Sequence, residues 1–98
     1  MGERRQKTEI AERIAEQFGM RLSDLKKKTN IARFVTARNM AYYILHCDYN
    51  VSLNELCDLF DRTNREVCYR IAAAKEKFEK DAGFRKRHDA VLKKVESE

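Results

Sequence analysis

Proline is absent from these 98 residues, glycine occurs only at Gly2, Gly19 and Gly83, and there is no tryptophan. A chain so poor in turn-formers is expected to be all-helical. No long apolar run is present, so neither a membrane span nor a signal peptide is expected. Cysteine is scarce too. Cys47, Cys57 and Cys68 are odd in number and lack CxxC spacing, as expected of reduced thiols in a cytoplasmic protein. Adjacent His46 and Cys47 would point about 100° apart on a helix, so no metal site is expected from them. No GxxxxGKS/T, HExxH or GxSxG pattern and no paired-carboxylate cleft is apparent. The expectation is therefore no enzyme, no cofactor and no small-molecule substrate.

What is present is charge, in an uneven arrangement. Charged residues make up 38% of the chain and hydrophobic ones 43%, with a formal net charge of +5. The apolar residues recur at regular spacings, so the chain folds, and its length suits one domain burying roughly 60–70% of its unfolded surface. Between Leu25 and Cys47 there is no Asp or Glu, yet Lys26, Lys27, Lys28, Arg33 and Arg38 fall there. From Asn39 to Asp61 there is no Lys or Arg, and Asp48, Glu55, Asp58 and Asp61 supply the charge. Segregation of this kind lets one face meet phosphates while the rest stays neutral or acidic; an ordinary solvated helix face would also show charge, so charge alone does not decide between them.

Residues 1–7 read as a flexible basic arm, and residues 8–98 as a single helical domain. Thr8 can cap a first helix lined by Ile10, Ile14 and Phe18 and closed by Gly19. Ser23 can cap a short turn over 22–25, followed by a basic connector, Lys26 to Asn30. A long helix is expected over 31–47, with Phe34, Ala37, Ala41, Ile44 and Leu45 inward and Arg33 and Arg38 projecting elsewhere. After Gly83, the spacing of Phe84, His88, Val91, Leu92 and Val95 predicts a last amphipathic helix, on which His88 is a core-edge residue rather than a catalyst.

The most informative stretch lies between. Ser52-Leu53-Asn54-Glu55 and, eleven residues later, Thr63-Asn64-Arg65-Glu66 are capping boxes, in which Ser or Thr accepts from a first-turn amide and Glu returns to the cap's own amide. Two starts so close leave room for a two-turn helix, a tight turn and a longer helix: a helix-turn-helix over 52–80. Leu53, Leu56, Cys57 and Phe60 would face inward from the first helix, and Val67, Ile71, Ala74 and Phe78 from the second. Arg65, Tyr69, Ala72 and Glu76 fall on the opposite side, where a recognition helix presents its groove contacts. An ordinary helical hairpin with a solvated face has the same spacing.

Three segments in order, Ile14 to Leu25, Ala37 to Tyr43 and Ser52 to Phe60, look like the opening helix and "DL" turn, the "ARQ-A-M-Y" helix and the "SL-EIG--FG" helix of one family. Arg62-Thr63-Asn64-Arg65-Glu66-Val67 falls where that family carries "GRDHTTV", one residue shorter in the turn. From Ile10 to about Lys77 the chain thus resembles the C-terminal DNA-binding domain (domain IV) of bacterial DnaA replication initiators. The resemblance implies a compact helical domain of Trp-repressor-like type whose second motif helix enters the major groove of double-stranded DNA. By position it implies that Arg62, Thr63, Asn64, Arg65 and Glu66 face bases or phosphates, and that Arg38, Asn39, Asn50 and Ser52 meet phosphate. The charge pattern adds Lys27, Lys28 and Arg33 to the phosphate set, and the helix face adds Tyr69 to the base-reading set.

Two departures count against recognition of the family's usual box. Thr63-Asn64-Arg65-Glu66 replaces Asp-His-Thr-Thr, and Asn30 stands where the family has an arginine that enters the minor groove. Without the initiator's ATPase residues, the chain is expected to be a stand-alone, nucleoid-associated regulator of replication or transcription. The alternative is a protein-interaction module that binds a replication or transcription protein and has lost base reading.

Overall fold

Thr8 does not start the first helix. The computed structural model describes residues 2–97, with side chains from Lys7 onward, and α1 runs Gly2–Glu16. Residues 2–7, expected as a loose arm, therefore continue the helix; Glu3, Arg4, Arg5, Gln6 and Lys7 are all good helix formers with nothing to interrupt them. Ala11, Ile14 and Ala15 are fully buried, with Ile10 and Phe18 packed against the same core. Gly19 closes the helix at φ 70°, and Met20 N donates to Ala15 O at 3.0 Å, satisfying a terminal carbonyl as a left-handed glycine allows.

α2 is the short helix Leu22–Lys26. Its cap is Arg21 rather than Ser23, because the Asp24 carboxylate reaches back to accept from Arg21 N at 3.0 Å. That amide, and then Lys27, holds the Asp24 carboxyl below its usual pKa. α3 covers Ala32–Tyr43, shorter than expected, and passes into a π-helical turn, Ile44–Asp48. Ile44, Leu45 and Val51 are all fully buried. A wider turn spreads successive side chains over a smaller angle, so adjacent Ile44 and Leu45 both enter the core. Val51 N donates to Leu45 O at 2.9 Å and His46 Nδ1 to Val51 O at 2.8 Å, fixing the way out of the turn.

α4 is Leu53–Phe60 and α5 is Asn64–Lys80. Both begin where the caps were expected: Ser52 Oγ accepts from Glu55 N and Thr63 Oγ1 from Glu66 N, each at 3.2 Å. The reciprocal halves of the two boxes are replaced by ion pairs, Glu55 with Lys7 and Glu66 with Arg62. Asp61 ends α4 at φ 53°, with Arg62 N donating to Cys57 O at 3.0 Å, so three residues separate the two helices. α6 is Ala82–Ser97, and it starts one residue after α5. Asp81 makes that corner by accepting from Gly83 N and Phe84 N at 2.9 and 3.2 Å. Arg85 completes it by donating to the terminal carbonyls of Phe78 and Glu79.

The described residues are all-helical, with no strand. α3 is the central element, packed by α1, α2 and α5, while α6 lies on α5 and α1. Leu56, Phe60 and Val67 are fully buried, and Phe60 meets Tyr42 of α3 edge to face at 4.9 Å. At the other end Tyr43 stacks on Phe78 at 5.1 Å, and the edge of His88 packs on both rings. His88 is buried and takes Asp48 on Nε2 (2.7 Å) and Asp89 on Nδ1 (2.9 Å), the structural role expected of it. No helix among the described residues is long and apolar enough to cross a membrane.

Truncation at the α4–α5 contact should be costly and truncation on the outward face should not. Phe60→Ala should lose about 3–4 kcal/mol and Val67→Ala about 2 kcal/mol in urea denaturation. Tyr69→Ala, at a position 69% exposed, should stay within about 0.5 kcal/mol of the parent. Equal midpoints for all four proteins would remove the packing described here.

Candidate nucleic-acid interface

A shallow cleft of about 300 Å³ opens between the connector and the start of α5. Lys28, Thr29 and Asn30 form one wall, and Glu66, Tyr69 and Arg70 form the other. Arg38 and Arg62 line it as well. Their guanidinium groups hold the walls together. Arg38 donates from Nε to Leu25 O (2.8 Å) and from Nη2 to Lys27 O (2.6 Å). Arg62 donates from Nη1 to Lys26 O (3.0 Å) and from Nη2 to the same Lys27 O (2.8 Å). Its Nη1 also reaches Phe60 O and Asp61 O in the turn, and its Nε pairs with Glu66 at 2.9 Å. Two cations thus occupy the carbonyl end of α2, where the helix leaves acceptors unpaired and the dipole favours positive charge.

This arrangement engages both arginines within the chain. Arg38 is 3% exposed, with burial and then the charge of Arg62 lowering its pKa, and its guanidinium is turned to the carbonyls of Leu25 and Lys27. The Arg62 side chain is 4% exposed and its donors are engaged. Glu66 neutralises Arg62, and Thr63 serves as the α5 cap. Asn64 is exposed, but its Oδ1 accepts from the Cys57 thiol at 2.9 Å. Burial raises the Cys57 pKa, which keeps that thiol a proton donor. Of the six residues expected to read bases, Arg65 and Tyr69 stand exposed with no hydrogen bond or ion pair among the described residues.

The phosphate candidates divide similarly. Lys28 and Arg33 are exposed, the Arg33 guanidinium lying 5.0 Å from the Phe34 ring centre. Lys27 is exposed but pairs with Asp24 at 3.2 Å. Asn39 is half-buried on α3, its Oδ1 buried without a partner. Asn50, at φ 56°, and Ser52 are exposed at the start of α4, and neither lines the cleft. The sequence reading missed Arg70. It sits four residues after Glu66, one turn along the same flank of α5, and that spacing was the available signal. Along α5 the only acid before Glu76 is Glu66, whose charge Arg62 offsets. The site is therefore a cationic cleft beside a helix start that carries an arginine and a tyrosine whose polar groups are unpaired among the described residues.

An ammonium cannot span the acceptors that the Arg62 fork spans. Arg62→Lys should therefore lose about 1.5–3 kcal/mol of stability, the range for hydrogen bonds to a charged group, and speed amide exchange across 26–31. Unchanged stability together with unchanged exchange would show that the connector is held by something else.

No family model matches the chain, and no solved structure matches it. Among the described residues no three His, Cys, Asp or Glu side chains gather to hold a metal ion. The chain is similar to the chromosomal replication initiator protein DnaA of Thermodesulfovibrio yellowstonii, at 29% identity over 87 residues. The match takes in 88% of this chain and 20% of that protein, so the chain spans about a fifth of the length of its relative.

Proposed function

We propose that this chain is a non-catalytic double-stranded DNA-binding domain, similar to domain IV of DnaA, in which α4 and α5 form a helix-turn-helix and the start of α5 enters the major groove. One observation carries the reading: Arg65 and Tyr69 are exposed on the outward start of α5 without a side-chain hydrogen bond or ion pair among the described residues, beside a cleft walled by Lys28 and Arg70. The similarity to a replication initiator supports it. In this reading Arg65 makes the base contact, as arginine does in a bidentate bond to guanine. Lys28, Arg33 and Arg70 take phosphates, Lys27 joins them by giving up Asp24, and Asn50 and Ser52 offer a further phosphate site at the start of α4. Arg38 and Arg62 hold the connector in place. The biological role is a nucleoid-associated regulator of replication or transcription in the cytoplasm.

A second reading is a protein-interaction module without base reading. It is favoured by the intramolecular engagement of Arg62, Thr63, Asn64 and Glu66, four of the positions expected to contact DNA.

Selection from a random duplex pool followed by titration separates the two. With four phosphate contacts, at Lys27, Lys28, Arg33 and Arg70, log affinity should fall against log salt with a slope of about −3.6. Arg65→Ala should cost about 1–3 kcal/mol on the selected site and much less on random duplex, whereas Lys28→Ala should weaken both alike. No enriched sequence and no binding at low salt would leave the interaction module as the reading. Equal losses for Arg65→Ala on both duplexes would reduce Arg65 to a phosphate contact.

A further inference from the structure

We infer that Tyr69 is a thymine reader, its ring packing against the 5-methyl group of a thymine in the major groove one helical turn beyond the Arg65 contact; this rests on the DNA-binding reading above. Two large hydrophobic side chains stand exposed among the described residues, Tyr69 at 69% and Ile31 at 58%. Of the two, Tyr69 lines the cationic cleft. An apolar ring left in water at the edge of a cationic site marks a partner that offers negative charge and a small apolar group side by side. Duplex DNA offers this where a thymine methyl projects into the major groove between the phosphate strands, and apolar side chains read thymine by that methyl.

The surroundings of Tyr69 suit this contact. Arg65 lies one turn before it on the same face. Ala72 and Ala73, one turn after, are both exposed and short, so the long side chains on this face, Arg65 and Glu76, stand a turn or more from the ring. The Arg70 guanidinium lies 6.0 Å from the ring centre, close enough to favour the ring's present orientation by cation–π attraction. Tyr69 takes no part in the hydrophobic core, so its exposure is not the edge of an internal contact.

The test replaces each thymine of the selected duplex in turn with deoxyuridine, which pairs identically and lacks only the methyl. The parent should lose about fourfold in affinity at one or two adjacent positions, equivalent to the ~0.8 kcal/mol of one buried methyl group. At those positions Tyr69→Ser should bind thymine and uracil duplexes equally, and Tyr69→Phe should keep the fourfold preference, because the ring rather than the hydroxyl makes the contact. Arg65→Ala should also keep that preference while losing discrimination at its own base pair. The inference is overturned if the parent is indifferent to every uracil substitution, if Tyr69→Ser keeps the full preference, or if the selected site contains no thymine. Failure of the parent to bind any duplex is a separate result, and it overturns the DNA-binding reading itself.

Discussion

The carbonyl oxygen of Lys27 accepts from two arginines, one on α3 and one in the turn between α4 and α5. The rest of the candidate interface depends on that convergence. α2 is five residues long and could not define a direction alone. Its exposed carbonyl end is fixed because Arg38 and Arg62 bind three consecutive carbonyls, those of Leu25, Lys26 and Lys27. Two like charges this close repel, and burial adds to the cost, as the lowered Arg38 pKa reflects. The carbonyl end of the helix and the Glu66 carboxylate supply the compensating negative potential. The connector, α3 and the α4–α5 turn thereby become one rigid unit, and the cleft between them keeps its width.

The element types were legible in the sequence because their signals are local. The absence of proline, the helical periodicities and the Ser52 and Thr63 caps depend on residues within one or two turns of each other, and the described residues are all-helical with both caps formed. Boundaries were less legible where a distant contact decides them. The burial of Ile44 and Leu45 was expected, but the π-helical turn at Ile44–Asp48 that places them there, and the burial of Val51 beyond it, were not. The early start of α1 reflects propensity continuing through residues 2–7, where charge alone suggested a loose arm.

The candidate site was legible as a region rather than as a set of roles. Charge segregation pointed to the connector and the capping boxes to the start of α5, and the cleft lies between them. Which basic residue is exposed could not be read from charge, because a guanidinium serves buried carbonyls as well as phosphates. Arg38 and Arg62 went to the carbonyls and Arg33 and Arg65 to solvent, although all four are arginines within a basic stretch or a motif start. The two glutamates of the capping boxes show the same limit. Each found a cation from outside its own first turn, Glu55 on α1 and Glu66 in the preceding turn.

The anchoring of the connector runs through main-chain oxygens, which every amino acid supplies. Positions 25 to 27 are thus anchored irrespective of which side chains they carry, and their chemistry is separable from their placement. A lineage could exchange Lys28 or Asn30 for other residues, retuning affinity or acquiring a new groove contact, without disturbing the frame that presents them. Arg38 and Arg62 have no such latitude. The frame therefore tolerates change on the presented wall and depends on the two side chains behind it.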